Sequence, residues 1–559
     1  MNIFKNPYYR ANLSKSGFDC SSLKQFSTIP GFLQPFHVDV LSPGESIKLD
    51  DNVFMRTENM TTSPFTRIRF KTEYFFVPFP QLWSYFGSMY YGIKDINSAA
   101  LGMLDENVRP MYPCVSSLSL SSYASFLDDN FDEDFHGVSL ASSLHRLLDG
   151  FGQYIKVKNI TNLRNYPLYF AQAYQRIFDA FYRNDLYESK QRASYNVDDI
   201  EEVLDFDSGD EDSILRFGKL FAPHYRPMPK DYFTNIQPSP IFNSLTIDSF
   251  RSSIGEFKPG PGSSDLNLTD SNSDYVNESA YAPQQAYAVG DGNQSQAAVV
   301  STSLIRNMFA VEKLLQITQR TKKQYDAQTL AHFGYDVPDD VANKVYYIGS
   351  HDGIVQISDV NATATTSGED SSLLGQIAGK GIGISNNNNK PLKFTAPYHG
   401  VFMAIFSVYN DVVYPDYAQS DLASMIYRED FYHPEFDRLG MTPSRAINYL
   451  KSPSSSSIAN KVLAWQYRYS HLKTSFDRCW GNFMSTNKNW TSKRLMFETQ
   501  TIPLSFFYYS PSSLDDILLH PFVPLQTFDD AYNSDPFDVE IDLKLYKSST
   551  MSTYGLPSL

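Results

Sequence analysis

The sequence predicts a mainly β protein interrupted by long helical and irregular insertions. Three observations carry this: strand-like alternation near both ends of the chain, segments with three- and four-residue apolar spacing between them, and 15% aromatic against only 19% charged residues. An ordinary soluble domain is about 25% charged, so this chain has more ring surface than charge-stabilised solubility requires, and partners are expected to cover it. Its 559 residues would fill roughly three or four average domains, but all-β folds with insertions run longer and length leaves the domain count open.

Residues 1–32 read as an N-terminal arm. From about 34 to 79, β-branched and aromatic residues alternate with polar ones between Pro-Gly and Asn-Met-Thr breaks, the pattern of successive strands. Phe65, Ile68, Phe70, Tyr74, Phe76 and Phe79 keep no single parity, so the longer run contains a bulge or is buried on both faces. A helical insertion region spans 80–230, with helices expected at 80–92 and 166–185, the second having Pro167 near its start and Asn184-Asp185 at its end. A helical pair follows at 303–334, with Leu304, Met308, Val311, Leu314 and Leu315 on one face and Gly334 at the C-terminal stop. Strands return over 400–559, at 401–410, 462–470, 499–510 and 538–548. In the last, Val539, Ile541, Leu543 and Leu545 share one side and Glu540, Asp542, Lys544 and Tyr546 the other. Strands at both ends require pairing between residues hundreds of positions apart.

Two stretches read as exposed excursions: the acidic 198–212 and the Pro/Gly/Ser/Asn-rich 238–302, which is too long for a plain connector. Residues 367–390 have the same soft character. Within them Gly375-Gln-Ile-Ala-Gly379-Lys380-Gly381-Ile-Gly383 superficially suggests a phosphate loop, but it has three residues between its glycines where that loop needs four, and Gly381 follows the lysine where a hydroxyl residue belongs.

Composition and motifs exclude several function classes. Forty-seven basic against 62 acidic residues give a net charge of -15, so the chain cannot coat nucleic acid by bulk electrostatics and any such contact must be local. Cys20, Cys114 and Cys479 are too few and scattered for a disulfide framework or a C-x-x-C metal site, which favours a reducing compartment. The N-terminal residues hold no apolar core followed by small cleavage residues, and no apolar run approaches 18 residues, so neither that export route nor a membrane span is expected. No His stands in a zinc-binding frame, no G-x-S-x-G elbow occurs, and Asp515-Asp516 and Asp529-Asp530 sit in turn-like contexts. No catalytic, cofactor or metal site is expected.

In KNWTSKR, Lys488, Lys493 and Arg494 surround Trp490. Such an arrangement more often describes a surface loop whose Trp anchors it to the core, and it can also stack a single-stranded base while neutralising phosphate.

Several segments together resemble the major capsid protein family of the Microviridae, the small single-stranded DNA phages, particularly the gokushovirus-like branch. They are FTRIRFKTEYFFVPFPQLW at 65–83, YFAQAYQRIFDAFYRN at 169–184, KDYFTNIQPSP at 230–240, TKKQYDAQTLAHFGYDVPDDVANKVYYIG at 321–349, REDFYHPEFDRLG at 428–440 and LAWQYRYSHLKTSFDR at 463–478. The resemblance implies an eight-stranded viral jelly roll with long insertions, one discontinuous domain over 1–559, that self-assembles into a T=1-like icosahedral virion shell around circular single-stranded DNA. It implies assembly in the host cytoplasm, minor pilot- or spike-type virion proteins and a host-surface receptor as partners, and a protruding loop for which 238–302 is the candidate. With a net charge of -15, a separate small basic DNA-binding protein is expected to neutralise most of the genome. The candidate single-stranded DNA contacts are Lys488, Trp490, Lys493 and Arg494, with Lys5, Arg10 and Lys15 of the arm. The other class weighed is a carbohydrate-binding β-sandwich, which suits an aromatic-rich acidic chain but usually requires export.

Overall fold

Ten strands build one antiparallel sheet whose most distant partners are separated by more than 500 residues of chain. The computed structural model describes residues 14–91, 111–130, 138–155, 164–190, 192–200, 202–240, 288–289, 295–296, 302–322, 325–334, 344–361, 377–385, 390–437, 440–451, 455–494, 496–497, 501–520 and 527–553. In chain order the strands are β1 (Ser16–Asp19), β2 (Ser22–Thr28), β3 (Gln34–Leu41), β4 (Ser46–Met60), β5 (Ile68–Pro78), β6 (Tyr346–Asn361), β7 (Ile377–Ser385), β8 (Leu392–Thr395), β9 (Gly400–Asn410) and β10 (Phe537–Ser549). Eight follow the path β1-β10-β4-β7-β6-β5-β9-β3, while β8 also pairs with β4 and β2 with β10. The curled, mainly β sheet with its helical insertions is of the expected jelly-roll class.

The alternation of β10 is borne out in full: Val539, Ile541, Leu543 and Leu545 are buried, and Asp538, Lys544 and Tyr546 are exposed. The broken parity of β5 also has its cause. Phe70, Tyr74 and Phe76 face the core inside the sheet, whereas Phe75 and Val77 face a second core beneath the helices. β9 is divided in the same way, with Phe402 and Phe406 on one side and Met403 and Ile405 on the other. The register also slips between Tyr347 and Gly349 of β6, where one extra residue opposes β5.

The helical layer comprises α1 (Phe79–Leu82), α2 (Phe86–Tyr91), α3 (Ser117–Asn130), α4 (Leu140–Gly150), α5 (Tyr169–Ile177) and α6 (Glu211–Leu220). In α4, Leu144, Leu147 and Leu148 recur at helical spacing and are buried, and the Ser139 hydroxyl caps the start by accepting from Ser142 N. α5 runs directly into a π-helical turn at Phe178–Tyr182, so the helix expected at 166–185 starts after Pro167 and finishes wider than it began. Gln172 ties the layer together: its buried amide donates to the carbonyls of Leu82 at 2.9 Å and Tyr195 at 2.7 Å.

Three expectations are corrected. Of the strand expected at 499–510, the described residues 501–510 form none: Leu504–Phe507 is a 3-10 turn that starts after Pro503, with the adjacent Phe506 and Phe507 both buried, which a half-exposed strand cannot achieve. The soft patch 367–390 contains β7, and its glycines permit close packing. A Cβ at Gly379 would lie 2.2 Å from the Thr62 carbonyl oxygen, and one at Gly381 would lie 2.7 Å from the side chains of Thr57 and Val355. The acidic stretch 198–212 is exposed as expected but not irregular: Val203–Leu204 pairs in parallel with Cys114–Ser116, and Asp210 caps α6 by accepting from Asp212 N.

All these elements belong to one compact unit, Met1–Pro238 with Asn343–Leu559; Ser239–Ala342 forms a second. The second unit contains the expected helical pair, α7 (Thr302–Arg320) and α8 (Tyr325–Phe333), closed by Gly334 at φ +68° with its N–H bonded to the Leu330 carbonyl. Nearly all of the candidate protrusion 238–302 lies outside the described residues.

Candidate nucleic-acid interface

Trp490 sits at the end of a short 3-10 turn, Lys488–Trp490, which the backbone fixes beside the strand lead-in to β5. Phe65 N–H donates to the Trp490 carbonyl at 2.8 Å, and the Thr62 hydroxyl donates to the Asn489 carbonyl at 3.2 Å. Just beyond, Ser492 is buried: its N–H donates to Thr66 Oγ1 at 2.7 Å, and its hydroxyl donates to the Ser513 carbonyl. Arg494 N–H bonds the Val413 carbonyl. These bonds leave little freedom in the loop and present its rings together.

The result is an aromatic platform. Phe65 is 71% exposed, its centroid 5.6 Å from Trp490 at 35° and 6.1 Å from Phe483 at 76°. Phe483 and Trp490 are half-buried, and Lys488 and Arg67, each two positions from a platform ring in the chain, are exposed. An exposed ring with cations close in the chain suits the faces and phosphates of unpaired nucleotides. Lys493 lies underneath, its side chain 6% exposed. Its ammonium donates to the carbonyls of Phe483 at 3.1 Å and Lys488 at 3.2 Å, and pairs with Asp516 at 3.4 Å. Arg494 turns away, its guanidinium 4.1 Å from the Phe506 ring centre. Of the four residues proposed from KNWTSKR, Lys488 is therefore exposed and Trp490 half-buried, while Lys493 holds the loop from below and Arg494 packs on Phe506.

Lys15 stands elsewhere in the same unit, exposed, donating to the Gly44 carbonyl at 2.5 Å. Lys5 and Arg10 lie outside the described residues. Sequence reasoning missed Phe65, Phe483 and Arg67 as members of the platform. Phe65 is separated from Trp490 by 425 positions (490 minus 65), and no local pattern announces that contact.

Asp50, Asp51 and His351 offer ligand atoms within 4.8 Å of one another. Both Asp51 oxygens already have partners: one accepts from His351 Nδ1 and the other from the Thr72 hydroxyl at 2.9 Å. Burial alone would lower the His351 pKa, but the bond to Asp51 and the charges of Asp51 and Asp50 raise it above the ordinary value. The group thus forms a buried hydrogen-bonded cluster that stitches β4, β5 and β6 together.

Residues 141–497, more than half of the chain, match the capsid protein (F protein) family of phages. The chain belongs to that family. It is also similar to capsid protein VP1 of Chlamydia phage 1, with 21% identity over 543 residues and 85% of each chain covered. Membership makes it a structural subunit of a phage capsid, located in the virion, and bears out the resemblance to Microviridae capsid proteins read from the dispersed segments. The aromatic platform belongs to a capsid protein, where exposed ring surface has two uses: neighbouring subunits and packaged contents.

Proposed function

We propose that this capsid protein assembles in the host cytoplasm into a small T=1-like icosahedral shell around circular single-stranded DNA. In this reading the platform of Phe65, Phe483 and Trp490 with Lys488 contacts the genome, while a small basic protein carries most of the neutralisation. Surface loops, 238–302 among them, meet the host receptor, and minor pilot- or spike-type proteins complete the virion. The observation that supports the DNA contact is the exposed Phe65 ring packed on half-buried Trp490, with exposed Lys488 two positions along the chain, in a protein whose net charge is -15.

Self-association is supported by a second exposed apolar group. Ile426 (77% exposed), Tyr427 (68%), Phe431 (51%) and Tyr432 (54%) crowd one short segment. An isolated subunit gains nothing from such a cluster, whereas a neighbouring copy can bury it. Ile426→Asp with Tyr427→Asp is expected to abolish shell formation, seen by electron microscopy and sedimentation, while circular dichroism shows a folded monomer. Shells of normal yield would remove this segment from the interface.

The DNA reading is tested by fluorescence anisotropy with a fluorescent oligo-dT. Phe65→Ala and Trp490→Ala should each weaken binding by roughly 5- to 150-fold, the equivalent of about 1–3 kcal/mol per lost stacking partner, with little change in salt dependence. Unchanged affinity in both variants would remove the platform from the genome interface.

A further inference from the structure

A second site stands at the opposite kind of surface, on polar sheet rather than aromatic loop. At one end of the sheet β8, β4, β10 and β1 lie side by side and line an open groove of about 730 Å³. The pairing register puts Lys393 of β8 directly opposite Lys48 of β4, and Tyr546 of β10 on the other side of Lys48. Directly opposed residues of an antiparallel pair project from the same face, so the two ammonium groups are neighbours, and like charges so placed repel. Both lysines are exposed, and neither has an ion pair or hydrogen bond among the described residues.

The adjoining outward row consists of hydroxyls. Thr395 opposes Ser46 and Ser46 opposes Ser548, with Ser46 Oγ and Thr395 Oγ1 2.9 Å apart. Of the acidic groups nearby, Asp50 opposes Lys544, while Asp19 stands in the same row as the lysines, beyond Tyr546, where the bonds it accepts from the Ser21 N–H and hydroxyl hold its carboxylate ionised. Lys547 points to the other face and pairs with Asp39. Lys15, immediately before β1, adds a cation where the N-terminal arm joins the sheet.

We propose that this groove binds the phosphodiester backbone of single-stranded DNA, a second contact that rests on the genome-binding reading above. Two lysines on directly opposed positions, with a row of hydroxyls next to them, are complementary to phosphate oxygens. Four strands at about 4.8 Å spacing make the groove about 14 Å wide, enough for more than one phosphate. The half-exposed ring of Tyr546 beside Lys48 gives a base a face to lie on. In a chain of net charge -15 the adjacent Lys48 and Lys393, set against the single Asp19 carboxylate of their row, are the feature that selects an anionic partner.

The test uses the unassembled full chain, a fluorescent oligo-dT and a salt titration, with Lys48→Ala/Lys393→Ala and Lys48→Glu as variants. Each lost phosphate contact should flatten the slope of log affinity against log salt by about 0.7, so the double alanine variant should flatten it by about 1.4. Lys48→Glu should lower affinity while raising the melting temperature of the free protein, because the introduced carboxylate would then face Lys393; a purely structural lysine would not move the two in opposite directions. Wild-type binding with unchanged affinity and slope in the double variant would overturn the groove alone. No binding by the wild type would overturn the genome-binding reading and the groove with it, and unfolding of both variants would show the lysines to be structural and overturn the proposal.

Discussion

Arg146→Ala is expected to destabilise the capsid subunit by about 3–5 kcal/mol, the ordinary result of leaving a buried charge without its partner. Arg146 is fully buried on α4 and grips Asp535, itself buried, with two parallel bonds of 2.7 Å. The same guanidinium reaches the Ala531 carbonyl and lies 4.9 Å from the Tyr532 ring centre. The carbonyl of Arg146 in turn accepts from Gln34 of β3 at 2.9 Å. One residue thereby joins the helical layer to β3 and to the segment that delivers β10 into the sheet. Replacing the pair together, Arg146→Met with Asp535→Leu, should cost far less, since no charge is then stranded. Denaturant unfolding of the three chains checks this. A loss below about 1 kcal/mol in the single variant would mean that Asp535 finds water or another cation.

Acid should weaken the subunit steeply, beginning near pH 6.5. His224 is stacked on Phe178 with ring centres 3.5 Å apart, and burial drives its pKa from 6.5 to about 3. His37 is lowered from 6.5 to about 4, first by burial and then by the charges of Lys24 and Lys547, against the opposing pull of Asp39. Both are neutral when folded and take up protons more readily when unfolded. Their contribution is therefore fully present above the unfolded value of 6.5 and is lost as the pH falls towards the folded values. At pH 4.5, two units below, each costs on the order of 2–3 kcal/mol. His351 has the opposite sign. Its raised pKa gives stability that is complete below 6.5 and is lost as the pH rises through the folded value, so it cannot offset the acid loss as the pH falls further. Thermal melting from pH 7.5 to 4.5 should show a falling midpoint below 6.5, flattened in His224→Gln. A level profile down to pH 4.5 would contradict the buried neutral state of these rings.

Local patterns were legible wherever one face alone was buried. β10 could be read residue by residue because its period-two alternation reflects a single solvent boundary. The stop at Gly334 that closes the helical pair was legible because a positive φ favours glycine at that position. Reading failed where burial came from two sides or from a distant partner. β5 and β9 lie between two cores, so their apolar residues follow no parity. Residues 377–385 looked soft because Gly379, Gly381 and Gly383 carry no side-chain signal, yet glycine is what the close approach of Thr62, Thr57 and Phe70 requires. The acidic excursion was legible as exposed but not as ordered, since the strand that Val203–Leu204 joins is Cys114–Ser116, some ninety residues earlier.

The same division holds for function. By itself the sequence determined the mainly β class, the surplus of ring surface, the net charge that limits nucleic-acid contact to local sites, and the ordered segments that mark a phage capsid protein. Those properties are sums over residues or periodicities within a few neighbours, and no folding is needed to evaluate them. Only the tertiary structure decided that Phe65 completes the Trp490 platform, that Lys493 serves beneath it while Arg494 turns to Phe506, and that Lys48 and Lys393 stand on directly opposed positions. Each of these is a pairing of residues far apart in the chain, fixed by strand register and loop closure, and a linear pattern carries no record of such contacts.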